Sequence, residues 1–221
     1  VSMGCPYTPL GGDLRPFLAR VEAAHRPRAA AAFHRRVMAE TRRQFEHLPA
    51  VISGADLVIG ASLCLALPSV AEALSIPYRY LAFTPQMLPS SAHPCPIFRR
   101  QHLPGWINRL GWRLVKRLQR LHLLPAINRH RRRLALPPLT DFWEHLLGAL
   151  PLLACDAALA PVPSDVARPV VQTGYLHLGK STAFPAGGQL LAESDLAPEL
   201  RTWLAAGSRP LFAGFGSMPP G

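Results

Sequence analysis

Apolar residues in this chain come in short blocks of two kinds. In Asp56-Leu-Val-Ile-Gly-Ala61 and Tyr78-Arg-Tyr-Leu-Ala-Phe83 they form β-rich runs of a few residues, the pattern of strands buried in a sheet. Between them, Ser69-Val-Ala-Glu-Ala-Leu-Ser75 predicts a helix that Ile76-Pro77 stops. Strand, helix and strand in so short a span make a βαβ unit, and that unit implies a parallel sheet. The runs at 154–160 and 169–173 predict two more strands of the same sheet, and 210–215 predicts a last strand outside it. Near the start, Pro6 to Leu10 reads as a strand end. Gly11-Gly12-Asp13 then turns the chain, with Asp13 capping a helix that has Pro16 in its first turn.

Helical patterning fills most of the remainder. It covers 14–48 with a break near Arg26-Pro27, then 106–133 up to the stop at Pro137-Pro138, then 140–150, and finally 199–206 up to Gly207. Residues 84–105 are rich in proline and predict a long loop after a parallel strand, the place where α/β sheets bind ligands. The expected fold class is α/β: an incomplete Rossmann-like parallel-sheet domain over 1–178, a linker over 179–197 containing Gly187-Gly188, and the first elements of a second Rossmann-like domain over 198–221.

The helix beginning near residue 106 has two kinds of face. Ile107, Leu110, Leu114, Leu118 and Leu121 recur at helical spacing, while Arg109, Arg113, Lys116, Arg117 and Arg120 fall on the other side. Two readings follow. The plainer one is a surface helix whose leucine face packs on the sheet. The sharper one is a basic amphipathic helix lying on an anionic membrane.

Composition narrows the class. The 221 residues are 49% hydrophobic and 17% charged, which excludes a disordered chain, and the 24 prolines follow no period. No apolar run reaches the roughly 18 residues that span a bilayer. The start lacks the charged and apolar regions of a signal peptide. It also lacks an initiator Met, and the end is a glycine-rich turn, so both ends read as cuts through a longer protein. Four cysteines without a CxxC spacing suit reduced thiols in a cytoplasmic protein, and the histidines form no HxxxH or HExxH pair, so no metal site is expected. Net charge is +11; between Glu72 and Asp141 there is no acid, while twelve of the 24 Lys and Arg lie there. Such one-sided charge calls for an anionic partner.

The most specific signal is the closing segment, where a strand ends in Gly214-Phe-Gly-Ser-Met218. Backbone N–H groups of Gly216 and Ser217 in such a loop suit a phosphate. The dinucleotide fingerprint GxGxxG fails at Pro219, which argues against a nicotinamide enzyme. The run from Trp203 to Met218 resembles the opening of the donor domain in family 1 glycosyltransferases, which have the GT-B fold. Tyr7 to Asp13, Asp56 to Ser62, Ala71 to Pro77, Ala126 to Leu139, Ala160 to Asp165 and Thr173 to Tyr175 resemble other segments of the bacterial and sterol-type members, in the same order.

That resemblance implies a hexosyltransferase. A nucleotide sugar such as UDP-glucose is its co-substrate, with no separate cofactor and no metal, and the acceptor is a hydroxyl on a sterol, polyketide or glycolipid. In the family a His or Asp base sits in a loop after the first strand, which this chain does not contain, so no catalytic base is assigned and the chain alone is expected to be inactive. Where many members place an Asp near the end of the fourth strand, this chain has Ala61-Ser62. Gly216 and Ser217 are the implied donor contacts. Phe83, Pro85, Gln86, Met87 and Phe98 are the candidate apolar acceptor wall. Arg109, Arg113, Lys116, Arg117 and Arg120 are the candidate membrane-surface residues of a cytoplasmic, peripherally attached enzyme. Glu72 is expected to pair with a neighbouring Arg or cap a backbone. The alternative is a non-catalytic basic module that binds an anionic membrane or nucleic acid; no nucleic-acid motif is present, and no nucleic-acid partner is expected.

Overall fold

A computed structural model describes residues 8–10, 26–95, 98, 100, 102–176 and 198–207. The chain divides into two compact units, Val1–Leu176 and His177–Gly221. In the second, the described residues hold one helix, α6 (Pro198–Ala205). The expected last strand at 210–215, the linker, the Gly216-Ser217 loop and the helical turns before Arg26 lie outside the described residues. Of the run from Pro6 to Leu10, residues 8–10 are described and have no regular secondary structure.

The first unit is an α/β layer around a four-stranded sheet. Its elements are α1 (Arg26–Ile52), β1 (Val58–Ala61), α2 (Leu67–Ala73), β2 (Tyr78–Ala82), α3 (Gly105–His122), α4 (Leu124–Arg133), α5 (Phe142–Leu147), β3 (Leu152–Leu153) and β4 (Val171–Gln172). The strands lie in sequence order, β1-β2-β3-β4, and every pairing is parallel. Val58 faces Tyr78, Leu81 faces Leu152, and Leu153 faces Gln172 in register. Parallel strands require crossovers: α2 supplies the one from β1 to β2 and α3 to α5 the one from β2 to β3, while an irregular segment joins β3 to β4. Val70, Tyr80, Leu88, Ile127, Leu147 and Leu153 are fully buried and form the centre of the core. Gly60 of β1 has no side chain because Leu67 and Tyr78 close over it: a Cβ there would lie 2.8 Å from Leu67 and 3.0 Å from the Tyr78 ring.

Three expectations need correction. The third strand is Leu152–Leu153, not 154–160. Asp156 makes the difference: its side chain accepts from Ala158 N at 2.8 Å, and its carbonyl accepts from Leu159 N and Ala160 N at 3.0 Å. Those bonds wind the alanine-rich run into a turn. The helical stretch at 106–133 is two helices, α3 and α4, because Pro125 in the first turn of α4 cannot donate to the carbonyl one turn back. Third, the leucine face of α3 does not pack on the sheet. Asn108, Gly111, Trp112 and Val115 are buried instead, and Trp106, Leu110, Leu114, Leu118 and Leu121 are exposed. Trp112 meets Trp143 of α5 edge-on, with ring centroids 5.1 Å apart, and two indoles supply more contact than the leucines. Gly111 lets the Phe98 ring lie against the helix, since a Cβ there would come within 2.4 Å of it.

The end of α4 carries a small strain. Ala135 has φ 57°, in the left-handed region, while Leu136 N donates to Arg131 O at 3.0 Å to close the helix. Glycine adopts that conformation without a Cβ clash. Ala135→Gly should therefore raise stability by about 0.5–1 kcal/mol, read as a higher urea midpoint at unchanged slope.

Candidate acceptor rim and the polar network behind it

The carboxyl ends of four adjacent parallel strands lie along one edge of the sheet. Leu63 follows β1, Phe83 follows β2, Leu159 follows the β3 end and Tyr175 follows β4. Phe83 is 56% exposed and Leu159 85%. Exposed large apolar groups on the loops that follow successive strands mark a candidate rim, since this is where open α/β sheets place ligands.

The first three of these loops are each held by a polar side chain from another segment. After β1, the buried Gln44 of α1 uses both ends of its amide: Nε2 donates to Leu63 O at 2.9 Å, and Oε1 accepts from Ala66 N at 3.1 Å. After β2, Trp143 Nε1 donates to Met87 O at 3.0 Å. Further along that loop Asp165 accepts from Ser90 Oγ at 2.5 Å and from Ser91 N at 2.7 Å. The Ser90 hydroxyl, with Ser91 beside it, holds the Asp165 carboxyl at about 2, well below the usual carboxylate range. After β3, Gln172 Nε2 donates to Cys155 O at 2.8 Å and to Ala160 O at 3.0 Å. Loops bracketed in this way present their tips in a fixed arrangement, which reduces the ordering cost of binding.

The residues singled out from the sequence divide between this rim and other places. Phe83 stands on the rim, and Pro85, Gln86 and Met87 form one short 3₁₀ turn just beyond it, half-buried. Met87 also packs against the core. Phe98 is half-buried with its ring over Gly111, on the α3 side of the loop. Ser62, in the position after Ala61, has φ 51°. Gly216 and Ser217 fall outside the described residues. Among the cations of α3, Arg109, Arg113, Arg117 and Arg120 are exposed, whereas Lys116 is turned toward α5 and bridges Asp141 at 3.0 Å and Glu144 at 2.9 Å. No group of three or more metal-ligating side chains occurs among the described residues, and none of their helices is long and apolar enough to cross a membrane.

A network that sequence reasoning saw only in part lies between α2, α4 and α5. Arg131 is 1% exposed and grips Glu72 with both terminal nitrogens, at 2.8 Å and 3.1 Å. The same guanidinium donates to Ser69 Oγ at 3.1 Å, and its Nε donates to Pro137 O at 2.9 Å. Ser69 Oγ lies 2.9 Å from His145 Nε2. A neutral His145 can accept the serine proton at Nε2 while Arg131 donates to the same hydroxyl oxygen. Burial lowers the His145 pKa to about 4, and the Arg131 charge adds to that, while Glu72 opposes it. Glu72 is itself held below the ordinary value by its bond to Arg131. Ser69 is fully buried, so its hydroxyl is out of a substrate's reach, and the grouping ties α2, α4 and α5 together as a structural clamp. One neighbour completes it: Asn128 donates to Leu139 O at 3.0 Å and accepts from Leu139 N at 2.8 Å, fixing the Leu-Pro-Pro turn. The sequence signal was there in Asn128 and Arg131 ahead of Pro137-Pro138, but nothing local paired Arg131 with Glu72.

No family model matches the chain. Whole-chain similarity to individual proteins is clear. The chain is 34% identical to glycosyltransferase GtfC of Amycolatopsis orientalis over 97% of its own length and 49% of that protein. It is 30% identical to the vancomycin aglycone glucosyltransferase of the same organism over 98% of its length and 50% of that protein. A sterol 3-beta-glucosyltransferase of Arabidopsis thaliana is 30% identical over 75% of the chain and 24% of its own length. The parallel α/β sheet is compatible with these relatives, all of which are named as glycosyltransferases. Within that class, the similarity is consistent with the family 1 glycosyltransferases, whose bacterial members the chain matches along nearly its whole length. It spans about half the length of the curated relatives it matches most fully.

Proposed function

We propose that this chain is the acceptor-binding part of an enzyme that transfers a hexose from a nucleotide sugar, UDP-glucose in the first instance, to a hydroxyl of a lipophilic acceptor. The observation that carries this reading is the set of exposed apolar residues on the loops after the parallel strands, with Phe83 directly after the inner strand β2. The relatives support it: one is named for a vancomycin aglycone and another for a sterol. An acceptor of that kind gains from burying rings against Leu63, Phe83 and Leu159. In the transfer, the acceptor oxygen attacks the anomeric carbon of the sugar, its proton passes to a base, and the nucleoside diphosphate leaves with the bonding pair. The rim orients the hydroxyl; Gly216 and Ser217 are proposed to meet the diphosphate.

The test is transfer of labelled glucose from UDP-glucose to a sterol or an aglycone. The protein carrying this chain in its complete reading frame should form labelled, organic-soluble product, whereas the 221 residues alone should not. Phe83→Ala in that complete protein should raise the acceptor KM about tenfold, the result of losing roughly 1.5 kcal/mol of apolar burial, with the donor KM unchanged. Turnover by the isolated chain, or a Phe83→Ala effect confined to the donor, would contradict the assignment.

A further inference from the structure

The exposed face of α3 is amphipathic, and among the described residues nothing buries its apolar side chains. Trp106 (64% exposed), Leu110, Leu114, Leu118 and Leu121 (60% exposed) form one stripe along the helix. At 100° per residue, Arg109, Arg113 and Arg120 fall along its border and Arg117 lies between Trp106 and Leu110, all on the side away from Val115. Among the described residues none of these four arginines lies within 4.0 Å of a carboxylate. The nearby acids Asp141 and Glu144 are engaged by Lys116, and Glu144 also by Arg168. A groove of about 630 Å³ opens between the carboxyl half of α3 and residues 140–142, with Arg117 and Arg120 on its wall beside Leu121.

We infer that α3 seats this protein on an anionic lipid bilayer, with Trp106 and the leucines entering the headgroup–acyl boundary and the four arginines pairing with lipid phosphates. Charge decides the occupant. A second copy of this chain would bring +11 against +11, and like charge opposes that docking. An anionic surface instead neutralises the arginine border while the boundary region takes up the leucines. Tryptophan at the end of such a helix is an interfacial anchor. The seating does not depend on the transfer reaction, so its failure and the failure of the glycosyltransferase reading are separable. If both hold, the acceptor reaches the enzyme from the membrane.

The measurement is sedimentation of the chain with vesicles of equal parts phosphatidylglycerol and phosphatidylcholine, against pure phosphatidylcholine, at low and high salt. Binding should occur on the anionic vesicles at low salt and fall at high salt. Replacing Arg109, Arg113, Arg117 and Arg120 by Gln should weaken it at least about tenfold, since each cation near such a surface contributes roughly fivefold. Leu110→Gln with Leu121→Gln should weaken it comparably with the charge untouched, and blue-shifted Trp fluorescence on binding should be lost with it. All six positions are exposed, so unchanged thermal midpoints will show that the variants fold. Equal recovery in the supernatant under all conditions overturns the inference. So does binding that ignores lipid charge, or salt-insensitive self-association that the Leu→Gln pair abolishes.

Discussion

Arg131→Ala should destabilise the first unit by about 3–5 kcal/mol, the largest effect expected of any single substitution here. The guanidinium is buried and satisfies Glu72, Ser69 and Pro137 O together. Removing it leaves a carboxylate without its partner, a serine without its donor and a space where the side chain lay. Glu72→Gln should cost less than Arg131→Ala, because Glu72 is 41% exposed and water can replace part of what it gives. Arg131→Lys should rescue little: an ammonium cannot hold both Glu72 oxygens and Pro137 O from one rigid fork. Urea unfolding of the three variants checks the order. Equal midpoints for wild type and Arg131→Ala would mean that the clamp does not hold α4 to α2.

Acid should weaken the fold, beginning well above the carboxylate range. His145 has a folded pKa of about 4 against an ordinary 6.5, chiefly through burial. Between those values the unfolded chain binds a proton that the folded chain refuses, so stability falls as pH drops from 6.5 and this contribution is spent below about 4. The loss amounts to about 3 kcal/mol over the window. Glu72, whose pKa is lowered by Arg131, acts in the same direction and adds its loss below its ordinary 4.5. A His145→Gln variant keeps an acceptor for Ser69 and has no proton to take up. Its urea midpoint should therefore change much less between pH 6.5 and pH 4 than that of the wild type. Parallel pH profiles for the two proteins would show that another group governs the acid response.

The sheet was legible because its strands are marked by periodicity and by what stops them. Asp56 to Ala61 and Tyr78 to Phe83 read directly as parallel strands around a short helix, and the structure pairs them with Val58 opposite Tyr78. The third strand slipped because an apolar alanine run looks alike in a strand and in a turn; the deciding group was the Asp156 side chain bonding to its own backbone neighbours. The α3 face was left with two readings for a related reason. Helical spacing identifies two faces, but it cannot say which one the rest of the chain covers. Here the Trp112–Trp143 contact and the Gly111–Phe98 approach turned the leucines outward. Of the site, Phe83 and its loop were visible from their place after a parallel strand. The brackets that hold the rim were not visible: Gln44 to Leu63, Asp165 to Ser90 and Gln172 to Ala160 join residues far apart in sequence. A single sequence carries no local mark of such a pairing.

The most direct measurement is acceptor binding mapped on the chain itself. Amide spectra of the isotopically labelled protein would be recorded during titration with a water-dispersed sterol or a glycopeptide aglycone. Shifts should concentrate at Leu63, Phe83, Thr84 and Leu159, along the carboxyl edge of the sheet, and Phe83→Ala should reduce the affinity while the fold stays intact. Saturable shifts confined to other faces, with the carboxyl edge silent, would contradict the acceptor-binding reading.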